Sequence, residues 1–397
     1  MDRHAADKVK AFGTSIFGEM SRLAATHGAV NLGQGFPDFP GPDVVKEAAK
    51  RAIDLDLNQY AMPHGSPRLR RAIARDWGAR FGREVDPETE VTVASGATEV
   101  IYDAIQAFIG PGDELIAFEP FYDSYQAATH LAGGVYRVQR LEPPSWSFDV
   151  DALRGRVTDR TRVLLLNTPH NPTGKVFTLA ELRAIAELAI ERDLVVLSDE
   201  VYDRILYDDA EHVPIATLPG MFERTLTINS TGKTFGMTGW KIGYAIGPAG
   251  LNAALRAVHQ YVTFASATPF QDAMAVAMEE ADERGYYAEL ARDYAERRSR
   301  MLDALDGAGM PVLPCRGSYF LMADISATGF PDDVAFCRFL IEEIGVAAVP
   351  PSAFYVDATT APLHARLCFA KRPETIAEAA RRLSRLPDAL RKASPAD

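Results

Sequence analysis

Val163-Leu164-Leu165-Leu166-Asn167-Thr168-Pro169-His170-Asn171-Pro172-Thr173-Gly174 is a short apolar run that breaks directly into a loop carrying two prolines and a glycine. The apolar part reads as a buried strand. The prolines and the glycine then fix an irregular loop at its C-terminal end, where Asn171 can donate to a ligand oxygen. A plain turn would need nothing so elaborate.

Outward from this stretch the same punctuation recurs. The runs Val91–Ala94, Glu114–Phe118, Leu194–Leu197, Thr225–Ile228 and Lys241–Ile246 alternate with helical patterns between about Val91 and Pro248, as βαβ units of a doubly covered sheet do. The expected fold is therefore α/β, with a large domain whose mostly parallel sheet is covered by helices. Past Leu251 a long helical stretch rich in Ala, Glu and Arg follows. From about Met310 the pattern becomes strand (Tyr319–Ile325), helix (Asp332–Ile344), strands (Val346–Val349 and Ala365–Phe369) and helix (Pro373–Leu386), a small α+β domain. The N-terminal segment shows no period beyond Ser15–Thr26 and is expected to pack on that small domain. The division expected is 1–45 for this segment, 46–290 for the large domain and 291–397 for the small one.

Composition excludes several classes of function. With 397 residues, 47% hydrophobic and 24% charged, the chain can bury a large core. Lys+Arg of 42 against Asp+Glu of 54 leaves a net charge of −12, which repels phosphate backbones and anionic lipid heads. Neither nucleic acid nor membrane is expected as a partner. The basic runs Arg68-Leu69-Arg70-Arg71 and Glu296-Arg297-Arg298-Ser299-Arg300 read as solvated helix faces. Cys315, Cys337 and Cys368 lie outside any ligand spacing and read as buried, reduced thiols, and no export signal or apolar span is seen, so a cytoplasmic location is expected.

Three further motifs sit at strand ends. Ser95-Gly96-Ala97-Thr98-Glu99 opens a helix pattern, where free backbone N–H groups can hold a phosphate or simply form an N-cap turn. Val195-Val196-Leu197-Ser198-Asp199-Glu200-Val201-Tyr202 is a buried strand ending in a carboxylate that is costly to bury without a cationic or donor partner, unless it caps the next helix. Asn229-Ser230-Thr231-Gly232-Lys233-Thr234-Phe235-Gly236 places a lysine among small residues, with Trp240-Lys241-Ile242-Gly243 beyond it. Such a lysine can be desolvated and lowered in pKa, as an imine-forming amine requires, although a surface lysine is the common case.

Their joint order resembles the fold-type-I pyridoxal-phosphate (PLP) aminotransferases of class I/II, over essentially Asn31 to Phe369. The kynurenine, glutamine and methionine aminotransferases and the succinyl-diaminopimelate aminotransferases are the similar branch. The resemblance implies that Lys233 joins PLP through an imine, that Asp199 pairs with the pyridine nitrogen, and that Asn171 and Tyr202 hold the ring's phenolic oxygen. It implies that Tyr122 stacks on the ring, and that Gly96, Ala97, Thr98, Ser230 and Lys241 hold the phosphate. Many relatives carry arginine where this chain has Lys241. Tyr60 resembles the tyrosine that reaches the cofactor of a neighbouring subunit, which implies a homodimer with shared sites, although a core tyrosine is the other reading. Gly35 would lie beside the substrate carboxylate and Arg366 would clamp it.

What the resemblance implies chemically is ping-pong transfer of the α-amino group from an amino acid to a 2-oxo acid. A cysteine-S-conjugate β-lyase reaction on the same site is a second enzymatic reading. An effector module of a transcription regulator is a third, but with a net charge of −12 and a resemblance that begins by Asn31 no DNA-binding domain is expected before it. Aspartate-specific relatives place an arginine about thirty-odd residues beyond the imine lysine. Here no arginine occurs between Arg256 and Arg284. Donors with uncharged sulfur, aromatic or amide side chains are therefore expected, with succinyl-diaminopimelate as the alternative.

Overall fold

The structure, a computed structural model, describes residues 3–10, 12–13 and 15–393. At its centre is a seven-stranded sheet whose spatial order is Val91–Ala94, Gly243–Ile246, Thr225–Ser230, Val195–Asp199, Thr161–Asn167, Glu114–Glu119 and Val135–Arg140. Gly243–Ile246 runs antiparallel to both neighbours and the remaining pairings are parallel. Successive side chains of a strand point to opposite faces. Val163 and Leu165 accordingly join Leu115, Ala117, Leu197 and the helix Ala97–Phe108 on one face. Leu164 and Leu166 join Ile116, Phe118 and the helix Leu179–Glu191 on the other. Burial on both faces is why these strands read as unbroken apolar runs, each leucine contributing ~1.5–3 kcal/mol.

Register then sets chemistry. Asn167 pairs with Asp199, and Asp199 with Ile228, so the C-terminal ends of three adjacent strands finish on one edge. Polar residues that follow the apolar runs converge there, as ligand sites in open α/β sheets do.

The remainder forms smaller sheets. Phe320–Asp324 pairs antiparallel with His364–Cys368, and Val30–Asn31 pairs parallel with Val346–Ala347. Met20, Ala24 and Leu32 share one core cluster with Leu340, Ile341, Val346 and Leu367. The helix Tyr286–Gly307 runs through the expected boundary at 290.

Several expectations need correction. Lys241 is not in a strand. It sits at φ +55 after a 3₁₀ turn (Thr238–Trp240), and the strand starts at Gly243. The helix expected over Asp332–Ile344 is α-helical from Asp333 to Phe339 and becomes a π-turn over Leu340–Ile344. The edge strand Val135–Arg140 was not expected, because charged residues interrupt its half-exposed pattern. Arg70 is not on a solvated face. It is fully buried, donating to the carbonyls of Gly65 (3.0 Å) and Pro87 and to Glu88 at 3.1 Å. The three cysteines are buried and free. Among the described residues no helix is long and apolar enough to cross a membrane.

Candidate active site

A cavity of about 370 Å³ opens at the C-terminal ends of the parallel strands, lined from the N-terminal segment, the large sheet and the C-terminal strand pair. On one side is the turn before the helix Ala97–Phe108. Gly96 has φ +86, and a Cβ there would meet the Lys241 Nζ at 2.9 Å. Only glycine allows that approach, which brings an ammonium against free backbone N–H groups. Ser230 stands beside them, its Oγ accepting from the Gly232 N–H at 3.2 Å.

On the floor is Asp199. Its Oδ2 accepts from the Tyr125 hydroxyl at 2.5 Å and its Oδ1 from the Val201 N–H at 3.4 Å. Burial pushes its pKa up to about 6 against those hydrogen bonds. Among the described residues no cation lies within ion-pair distance of it, so the carboxylate lacks the partner that burial demands. Asn167 fixes the neighbouring loop, donating from Nδ2 to the Asp199 carbonyl (2.9 Å) and accepting on Oδ1 from the Asn171 N–H (2.8 Å).

Lys233 follows the capped end of Thr225–Ser230. Its Nζ donates to the Tyr319 hydroxyl at 2.9 Å and to the Gly35 carbonyl at 3.3 Å, and burial lowers its pKa to about 8. The amine is thereby a far better nucleophile near neutrality than a surface lysine. Tyr202 packs edge-on against Tyr319, with ring centroids 5.0 Å apart, while Tyr122 meets Tyr125 edge-on at 5.7 Å. Burial raises the pKa of both Tyr122 and Tyr202.

Arg366, 1% exposed, donates to Asn171 Oδ1 at 3.1 Å and to the Gly33 carbonyl at 2.8 Å. Its guanidinium lies 4.2 Å from the Phe320 ring centroid and 5.0 Å from that of Phe17, its Nε has no partner, and burial lowers its pKa to about 10. A desolvated cation with an unused donor is prepared for an anion.

Gly35, Gly96, Ala97, Thr98, Tyr122, Asn171, Asp199, Tyr202, Ser230, Lys233, Lys241 and Arg366 thus all line one cavity. Tyr60 does not. It is 85% exposed, with its ring edge on Phe264 at 5.3 Å. Sequence reasoning missed Tyr319, which reads as the apolar start of a strand, and the aromatic wall formed by Phe17 and Phe320. It also missed Tyr125, a helix residue whose bond to Asp199 only the tertiary fold reveals.

An unpaired buried acid, a desolvated amine, an anion cradle at a glycine turn and an unspent guanidinium suit PLP, which brings a ring nitrogen, an aldehyde and a phosphate. Sheet and cavity together define a fold-type-I PLP enzyme. The chain belongs to the aminotransferase class I and II family, which it matches over residues 27–383. It is a PLP-dependent aminotransferase. It is 45% identical over 391 residues to a probable N-succinyldiaminopimelate aminotransferase of Mycobacterium tuberculosis, covering 96% of this chain and 98% of the relative. With the methionine aminotransferase of Escherichia coli it shares 41% identity over 379 residues, covering 96% and 97%. The solved structure of an Escherichia coli methionine aminotransferase superposes with a TM-score of 0.93 at 41% identity, over 96% of this chain and 99% of that one.

Proposed function

We propose that this aminotransferase moves the α-amino group of a neutral L-amino acid, with a sulfur, aromatic or amide side chain, to a 2-oxo acid by ping-pong turnover. The observation that carries the substrate class is the charge inventory of the cavity. Lys233, Lys241 and Arg366 are the cations lining it among the described residues, and each has a use before a side-chain carboxylate is considered. A buried carboxylate without a cation costs several kcal/mol. The wall left for the side chain is Phe17, Phe36, Phe320 and Gln34. If Tyr60 is contributed across a two-fold, its chain neighbours Gln59, Ala61 and Met62, and Phe264 against its ring, bring no cation either.

The residue roles follow from the donors and acceptors above. When bound, PLP withdraws electrons from the amino acid's Cα and so acidifies its proton. Lys233 would hold the cofactor, then take the Cα proton on Nζ once displaced and return it on the cofactor side. Asp199 would keep the ring nitrogen cationic, with Tyr125 holding the carboxylate in place. Asn171 and Tyr202 would orient the ring oxygen, and Tyr122 would cover the ring. Gly96, Ala97, Thr98, Ser230 and Lys241 would bind the phosphate. Arg366 would receive the α-carboxylate on its guanidinium, beside Gly35. The same reading makes the enzyme a cytoplasmic homodimer, with Tyr60 completing the partner's site. It divides the chain at 45 and, inside the continuous helix Tyr286–Gly307, at 290, with the pairing of Val30–Asn31 and Val346–Ala347 supporting the N-terminal segment's place on the small domain.

Initial rates with aspartate, methionine, glutamine, kynurenine and succinyl-diaminopimelate test the substrate class. A neutral donor should exceed aspartate by at least tenfold in kcat/KM, worth ~1.4 kcal/mol. Aspartate winning refutes the charge argument. Success of succinyl-diaminopimelate, which the 45% identical relative supports, assigns the enzyme to that donor, and release of pyruvate from a cysteine S-conjugate reveals β-elimination.

A further inference from the structure

Four consecutive carbonyls of the N-terminal segment are held by donors from the far end of the chain or from the sheet. The Gly33 carbonyl accepts from Arg366 (2.8 Å), and the Gln34 and Phe36 carbonyls both accept from the Lys371 Nζ (3.2 and 2.9 Å). The Gly35 carbonyl accepts from the Tyr319 hydroxyl at 2.7 Å and from the Lys233 Nζ at 3.3 Å. Lys371 is 3% exposed, its ammonium committed to backbone oxygens. Neither Tyr319 nor Lys371 has a role in the reading above.

Proton counting fixes the directions in this cluster. A carbonyl only accepts, so the single proton of Tyr319 is committed to Gly35, and towards Lys233 the phenol oxygen must accept. A neutral Nζ carries two N–H bonds and one lone pair. Its two hydrogen-bond partners, the Tyr319 oxygen and the Gly35 carbonyl, use both N–H bonds. The remaining tetrahedral direction belongs to the lone pair, on a residue that lines the cavity.

We propose that Tyr319 is a positioning residue which, with the Gly35 carbonyl, fixes the direction of the Lys233 lone pair towards the cavity, and that Lys371 keeps that carbonyl in register. This rests on Lys233 being the lysine that attaches PLP. The arrangement supplies orientation in advance of the reaction, an entropic saving that a freely rotating lysine lacks. It also stabilises the ammonium by two acceptors, partly opposing the burial that lowers its pKa.

The test uses the full-length chain stripped of cofactor and mixed rapidly with PLP. Capture forms a C–N bond from the amine lone pair and expels the aldehyde oxygen as water, together with two amine protons. The rate is followed by absorbance from pH 6 to 10, and borohydride reduction with peptide mapping locates the adduct. Above the inflexion every amine is neutral, so the plateau is free of protonation and reports orientation, with Lys371→Met, whose inflexion moves less, separating it from a change in basicity. Tyr319→Phe keeps the ring packed on Tyr202 and Tyr294 and removes only the oxygen. Its plateau should fall about tenfold, with the inflexion moving below that of the wild type because the ammonium has lost an acceptor. Lys371→Met keeps the apolar stem and should lower the plateau with a smaller movement of the inflexion. In the loaded enzyme, Tyr319→Phe should show a larger isotope effect with Cα-deuterated substrate. An adduct on Lys233 with wild-type plateaus in both variants overturns the orientation role and leaves the attachment intact. An adduct on another lysine overturns the attachment itself.

Discussion

Asp199 and Lys233 share one cavity, and burial displaces them in opposite directions, the acid up to about 6 and the amine down to about 8. Their stability consequences can be signed. The folded chain binds the Asp199 proton more tightly than the unfolded chain, so its penalty is full above about pH 6 and fades as pH falls towards 3.8. It binds the Lys233 proton less tightly, so that penalty is full below about pH 8 and fades towards 10.5. Near neutrality the stripped protein carries both. Lys233→Met, without cofactor at pH 7, should therefore melt at or above the wild-type Tm while losing all steady transamination. A Tm several degrees lower would show that the amine is held at no cost. Asp199→Asn should still bind PLP but lose several orders of magnitude in turnover, since a neutral amide does not favour a cationic ring nitrogen. Turnover within about tenfold of wild type, ~1.4 kcal/mol of barrier, would remove Asp199 from the chemistry. These two residues were legible in the sequence because a charge set among apolar or small residues needs a reason. Tyr319 was not, since a tyrosine opening an apolar strand looks like core until its hydroxyl is found on a lysine.

The helix Ala97–Phe108, which presents its first turn to the cavity, is tied to the helix Ala249–Val262 by a buried charge cluster. The His259 Nδ1 lies 3.0 Å from Glu99 Oε1 and 3.4 Å from Asp103 Oδ2, while its Nε2 donates to the Pro63 carbonyl at 2.8 Å. The imidazole nitrogens face acceptors on both sides, which requires the doubly protonated ring, and the two carboxylates raise its pKa to about 9 against its burial. The stability this contributes is whole below about pH 6.5 and is lost as pH climbs through about 9. Lys233 is relieved of its penalty over the same window in both proteins, so thermal melts at pH 7 and pH 9.5 should show the advantage of wild type over His259→Gln shrinking as pH rises. An unchanged difference between the two would place the loss elsewhere. At this scale the legible elements were the central strands, whose two buried faces leave an unbroken apolar run. The edge strand Val135–Arg140 and the buried Arg70 escaped, because tertiary partners rather than local pattern decide them. For Arg70 the partners are the backbone of Gly65 and Pro87, with Glu88.

Across the whole molecule, the single chain leaves exposed apolar side chains in the two segments that Tyr60 and Phe264 bring together. Leu55, Met62, Tyr261, Val262 and Phe264 are between 44% and 86% exposed. Such a surface is costly for a monomer. The two-fold dimer proposed above would cover it, and mixing Lys233→Ala with Tyr60→Phe protomers should restore part of the activity through hybrid sites. No recovery despite demonstrated subunit exchange would mean that each chain serves itself. The sequence motifs had already ordered the cavity, but not the distance in chain over which it is assembled. Among the described residues Val30–Asn31 finds its one strand partner at Val346–Ala347, and the carbonyls of Gly33, Gln34 and Phe36 find theirs at Arg366 and Lys371. On a ribosome adding ~5–20 residues per second, that wait is roughly 15–60 s. Throughout it the N-terminal segment has no seat and the lysine's amine no carbonyl to lean on. With Lys233 as the proposed attachment point, cofactor capture would be one of the last events of this protein's biogenesis, and a chain truncated before Arg366 should emerge with its sheet formed and its vitamin unclaimed.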